Sequence, residues 1–112
     1  MNNTEKTISF ASTKNIDIAH ADRLTELEKK ITHDETNDFL DRIQRHFDEA
    51  YIHLDVKQIK EQQHKQQGFK WKALLVTNRG RFHTEQIGFG VKHSLAQTFN
   101  ALEEQINNKL KD

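Results

Sequence analysis

The chain has 112 residues, of which 34% are hydrophobic and 30% charged, and its 17 basic and 17 acidic side chains cancel to a net charge of zero. That length suits a single domain spanning 1–112 with one modest core, and the charge balance argues against a disordered polyelectrolyte or a histone-like condenser. Cysteine is absent, which excludes a disulfide framework, a thiolate metal site and a cysteine nucleophile, and suits a reducing compartment.

Residues 7–12 alternate apolar and small polar side chains, as a strand with Ile8 and Phe10 inward would. A turn is predicted at 12–15, after which Ile16 and Ile18 resume the alternation. From Asp22 to about Glu49 the spacing is helical, but the apolar stripe changes phase. Leu24, Leu27 and Ile31 form one set and Leu40, Ile43 and Phe47 another, more than a third of a turn away. Thr32-His33-Asp34-Glu35 has the form of a capping box between them. The prediction is a long first helix over about 22–48, kinked or broken near 32–37, with one continuous helix as the alternative. Ile52, Leu54 and Val56 then mark a half-buried strand with Lys57 outward. Residues 58–67 are polar and nearly without apolar anchors, which predicts a flexible loop. Phe69, Trp71, Ala73 and Leu75 define the inner face of the next strand, Asn78-Arg79-Gly80 a turn, and 81–89 the returning strand. Leu95, Phe99, Leu102, Ile106 and Leu110 give an amphipathic last helix. The fold predicted is α+β in the order β-α-β-β-β-α, a four-stranded sheet with two helical segments packed on one face.

The polar opening residues lack the apolar run of a secretion signal. The longest apolar run, at 73–76, falls far short of the roughly 20 residues of a membrane helix. A cytoplasmic protein with no membrane association is expected. The charges are unevenly placed: residues 15–56 hold eleven acids against five bases, and residues 57–92 eight bases against two acids. A neutral chain with one basic segment can focus positive potential on phosphate. Lys70, Lys72, Arg79 and Arg81 lie within twelve residues, with Lys92 at a helix start.

The seven histidines show no metal-ligand spacing, and no phosphate loop, dinucleotide fingerprint or nucleophile elbow is present. Asp34, Glu35 and Asp38 lack the apolar enclosure that would make catalytic carboxylates of them, and Ser94 reads as a helix-start residue. No enzyme activity, cofactor, metal or small-molecule substrate is expected.

Across nearly its whole length the chain resembles the ribosome hibernation-promoting factor and ribosome-associated inhibitor family. The resemblance is carried by Ile8-Ser9-Phe10-Ala11-Ser12-Thr13-Lys14-Asn15, by Phe69-Lys70-Trp71-Lys72-Ala73-Leu74-Leu75, by Gly80-Arg81-Phe82-His83-Thr84-Glu85, and by Leu95 with Leu102-Glu103-Glu104-Gln105-Ile106. It is to a short, divergent member, without the C-terminal dimerisation extension. Thr13 replaces the family's turn glycine. Gly90-Val91-Lys92-His93-Ser94-Leu95-Ala96 replaces a signature with two acids and a tyrosine. The family's basic positions on the last helix fall on Ala101, Glu104, Asn107 and Asn108, leaving Lys109 and Lys111 nearby.

The resemblance implies a regulator of translation in the resting, stationary or stressed cell. It would bind ribosomal RNA in the tRNA and mRNA channel of the small ribosomal subunit and inactivate resting ribosomes. Lys14, Lys29 and Lys30 are RNA-facing candidates through the resemblance, and Lys70, Lys72, Arg79, Arg81 and Lys92 through the charge asymmetry. The alternative is a protein-interaction module: Leu74 and Val76 share strand parity with Lys70 and Lys72, so an apolar helix-free face could support weak self-association or seat a partner.

Overall fold

The computed structural model describes residues 7–10, 15–59 and 67–111. Strand β1 (Thr7–Phe10) pairs antiparallel with β2 (Asn15–Ala19), with Ile8 opposite Ile18 and Phe10 opposite Ile16. A 3-10 turn (Ala21–Arg23) leads into helix α1 (Glu26–Ile43) and a second 3-10 turn (Gln44–His46). Three ten-residue strands follow, β3 (Ala50–Ile59), β4 (Gly68–Thr77) and β5 (Gly80–Phe89), and then helix α2 (Val91–Leu110). The sheet order is β1-β2-β3-β4-β5. The α1 crossover makes β2 and β3 parallel, while β3, β4 and β5 form an antiparallel meander. Strands β2–β5 are the expected mixed sheet, and the doubled-back opening segment adds β1 as a short fifth strand at its edge.

Period-two alternation puts Ile16, Ile18, Ile52, Leu54, Val56, Phe69, Trp71, Ala73, Leu75 and Phe82 on one buried face. Both helices close over that face. Phe39 of α1 stacks on Phe99 of α2 with ring centroids 4.6 Å apart and planes within 8°. Arg42 bridges Glu103 at 3.0 Å, and Lys92 reaches Glu35 at 4.0 Å. These contacts advance together along both helices, so α1 and α2 run in the same direction. Trp71 is fully buried, and its indole N–H donates to Ser94 Oγ at 2.8 Å. A buried indole needs such a partner. Ser94 lies in the first turn of α2 and also donates to the Gly90 carbonyl at 2.7 Å. The backbones approach closely here: a Cβ at Gly88 would sit 2.2 Å from Gln97 Oε1 and 3.0 Å from Ser94 Cα.

The first helix differs from the sequence expectation. It starts at Glu26, not at Asp22, and its α-helical pattern runs unbroken through 32–37. The capping box is one helix start earlier: Glu28 N–H donates to Thr25 Oγ1 at 3.1 Å, and Thr25 N–H to Glu28 Oε1 at 2.9 Å. Leu24 precedes the helix in extended backbone, and Leu27 is 67% exposed. Leu24 is therefore buried in the core from outside the helix, and Leu27 faces solvent, so neither belongs to a buried stripe of α1. The actual stripe is Thr32, Thr36, Phe39, Leu40 and Ile43. Two threonines take part because their hydroxyls bond backward, Thr32 to the Glu28 carbonyl at 2.8 Å and Thr36 to the Thr32 carbonyl at 2.6 Å. A threonine whose hydroxyl is satisfied within its own helix presents a methyl to the core.

Of the loop expected at 58–67, Gln58 and Ile59 continue β3, and Gln67 anchors the start of β4 by donating from Nε2 to the Ile59 carbonyl at 2.8 Å. Residues 60–66, the inward placement of Ile8 and Phe10, and Lys14 lie outside the described residues.

Candidate nucleic-acid interface

The face of the sheet opposite the helices is uncovered in the described structure, and strand register sets its side chains in rows. Lys57, Lys70 and Ile87 form one row; Asp55, Lys72 and Glu85 the next; His53, Leu74 and His83 a third; Tyr51, Val76 and Arg81 the last. Lys70, Lys72 and Arg81 thus share this face. Six residues of β4 separate the first row from the last, about 20 Å at a strand's rise.

Acids interleave with these bases. Glu85 pairs with Lys70 at 2.5 Å. The Lys70 hydrogen bond, with the nearby charges of Lys70 and Lys72, holds the Glu85 carboxyl below its usual value. Asp55 is taken by His20 at 2.7 Å and Asp17 by His53 at 2.8 Å. Among the described residues Lys57, Lys72, Arg79 and Arg81 have no ion pair within 4 Å. The expected contrast between a basic and an apolar face resolves into a charged face. Leu74 and Val76 do lie on it, half-buried between the charged rows.

The other expected residues lie elsewhere. Arg79 is exposed in the β4–β5 turn, whose Asn78 Oδ1 accepts from the backbone N–H groups of Asp48 at 2.9 Å and Glu49 at 3.3 Å. Lys29, Lys30 and Lys92 belong to the helical layer, on the opposite side of the sheet. Each has an acid beside it on α1: Glu26 at 3.0 Å, Asp34 at 2.9 Å and Glu35 at 4.0 Å. The Lys30 hydrogen bond, and then its charge, hold Asp34 below the usual carboxylate value. The eight candidates therefore do not form one surface: three share the open sheet face, one sits at its end, three are across the molecule, and Lys14 is not described.

Sequence reasoning missed Arg23 and His20. Both gather with Lys57, Lys70, Lys72 and Asp55 around a concavity of about 240 Å³. Lys57 was visible as an outward strand residue. Arg23 was not, because Asp22 onward read as the start of a helix, whereas Ala21–Arg23 is a 3-10 turn folded back against β3.

Among the described residues no cluster of three or more His, Asp or Glu side chains is placed to hold a metal ion, and no helix is long and apolar enough to cross a membrane. What this arrangement offers is a charged sheet surface backed by a helical layer. The family described as the C-terminal domain of the hibernation factor Hib matches residues 15–111, and the chain belongs to it. Membership bears out the resemblance to hibernation factors and gives a ribosome-associated regulatory role in hibernation. No curated protein matches the chain.

Proposed function

We propose that this domain binds ribosomal RNA in the tRNA and mRNA channel of the small ribosomal subunit and inactivates resting ribosomes, acting in the cytoplasm of stressed or stationary cells. Lys70, Lys72 and Arg81 hold phosphates from the open sheet face, with Arg79 at its end. Lys14, Lys29, Lys30 and Lys92 are secondary contacts from other parts of the surface. The observation that carries this reading is the shared orientation of Lys70, Lys72 and Arg81, on a face left uncovered in a hibernation-factor domain. Lysine and arginine on a flat face grip a phosphate backbone without reading bases, so recognition is by shape and is sensitive to salt.

Four phosphate contacts give a slope of log affinity against log salt of about −3 to −4, or a loss of roughly 50- to 150-fold between 50 and 200 mM salt. Co-sedimentation with small subunits across that range measures it. The double variant Lys72→Glu, Arg81→Glu weakens binding and flattens the slope by roughly 1.4–1.8, while its melting temperature stays close to that of the parent because both side chains are exposed. Salt-insensitive binding, or binding untouched by the double reversal, overturns this reading in favour of the protein-interaction module with Leu74 and Val76 as contacts.

A further inference from the structure

Lys57 lies directly opposite Lys70 in the β3–β4 register, and Lys72 is the next residue along the same face. Like charges directly opposite on a sheet repel. Glu85, the acid nearest Lys70, is across on β5, and Asp55 is engaged by His20. Arg23 adds a fourth cation from outside the sheet. Its position is built by three backbone devices. His20 adopts a left-handed conformation (φ 64°, ψ 30°), uncommon for a residue with a side chain. Arg23 N–H donates to the His20 carbonyl at 3.0 Å, and Gln58 Nε2 donates to the Arg23 carbonyl at 2.9 Å. The turn that carries Arg23 is thereby fastened beside Lys57. Glu85 matches only Lys70, so Lys57, Lys72 and Arg23 leave this concave spot with an excess of positive charge.

We propose that this nook binds the phosphate of a nucleotide. The Arg23 guanidinium and the ammonium groups of Lys57, Lys70 and Lys72 line, with His20 and Asp55, an open concavity of about 240 Å³, and four cations against one carboxylate favour a phosphate or diphosphate there. Arginine supplies paired donors to phosphate oxygens and lysine a compact charge. Asp55 and Lys72 also line a neighbouring groove of about 600 Å³ floored by Leu74 and flanked by His53 and His83. His53 is held in place by Asp17 at 2.8 Å. A planar base lying over that row stacks against imidazole while its phosphate occupies the nook. The nucleotide is either free or one unit of an RNA strand. The inference shares Lys70 and Lys72 with the ribosomal reading but does not depend on it.

The test is a titration of the whole 112-residue chain, followed by backbone amide NMR, with pyrophosphate, ADP and a short single-stranded RNA as separate probes. Pyrophosphate is expected to shift the amides around Arg23, Lys57, Lys70 and Lys72 saturably, and ADP to shift those together with His53, Leu74 and His83. Arg23→Gln combined with Lys57→Gln weakens the response by at least about tenfold, the effect of losing charge-assisted hydrogen bonds. Both positions are exposed, so the variant stays folded, which its amide spectrum verifies directly. A response to ADP and not to RNA assigns a free nucleotide, and a response to RNA and not to ADP assigns the strand. The site is overturned if no probe gives a saturable shift, or if the double variant responds as the parent does. Small-subunit co-sedimentation of the parent chain separates the two readings: intact, salt-sensitive ribosome binding without a saturable nucleotide shift overturns this site and leaves the ribosomal reading standing.

Discussion

Replacing Phe99 by alanine removes half of the stacked pair that joins the two helices above the sheet. Phe99 is 2% exposed and Phe39 is fully buried, so neither space can fill from solvent without rearranging the core. A buried phenylalanine cut to alanine costs ~3–5 kcal/mol in lost transfer energy and residual cavity, against a total stability of ~5–15 kcal/mol for a domain of this kind. In urea, with a denaturant slope of ~1–3 kcal/mol per molar, the midpoint falls by roughly 2 M. The reporter is already present: Trp71 is the single tryptophan and is fully buried, so its fluorescence follows the core alone. A gentler cycle isolates the ring contact. Phe39→Leu and Phe99→Leu keep most of the volume, and the double variant should be less destabilised than the sum of the singles by ~0.5–1.5 kcal/mol, the share of an aromatic pair beyond its burial. Alanine variants that each lose under ~1 kcal/mol, or leucine variants additive within ~0.3 kcal/mol, refute the helix phases and the stack together.

Thr25→Ala should cost ~1 kcal/mol by thermal or urea unfolding, because it removes the capping box at the start of α1. Glu35→Gln, at the rival box position, should cost less than ~0.5 kcal/mol, and the reverse ranking would restore a helix break near residue 32. Tyr51 is the only tyrosine, so alkaline absorbance titration reads it alone. Partial burial and then Asp17, whose carboxylate accepts the phenol hydrogen bond at 3.2 Å, raise its pKa above the usual value. The neutral phenol therefore stabilises the folded state below pH ~10, and that contribution disappears as pH rises through the higher folded value. Asp17→Asn should lower the titration midpoint while leaving the part due to burial, and an unchanged midpoint would remove Asp17 from the account.

The strands β3 and β4 and the helix α2 were legible because each carries one unbroken period, and β5 because the Asn78-Arg79-Gly80 turn returns the chain beside β4. Ile52, Leu54 and Val56 alternate, as do Phe69, Trp71, Ala73 and Leu75, and burial follows that alternation residue by residue. Helix α1 was legible as a helix but not in its phase. Its buried stripe uses Thr32 and Thr36, which hydropathy counts as polar, while Leu27 points to solvent. Only the backward hydroxyl bonds of the finished helix make threonine an inward residue.

For the candidate interface, the strand parity that brings Lys70, Lys72 and Arg81 to one face was fixed by local sequence, since alternate residues of a strand must point the same way. What surrounds them was not. The pairing of Lys57 with Lys70, and of Lys72 with both Asp55 and Glu85, depends on the register between residues up to seventeen positions apart. The arrival of Arg23 beside them depends on a left-handed His20 and on Gln58, thirty-five residues further along the chain. Charge and period are properties of a segment, so the sequence alone decided which residues face outward. Neighbourhood between segments is set by packing and hydrogen bonding across the fold, so only the tertiary structure decided which outward charges are neutralised and which four converge.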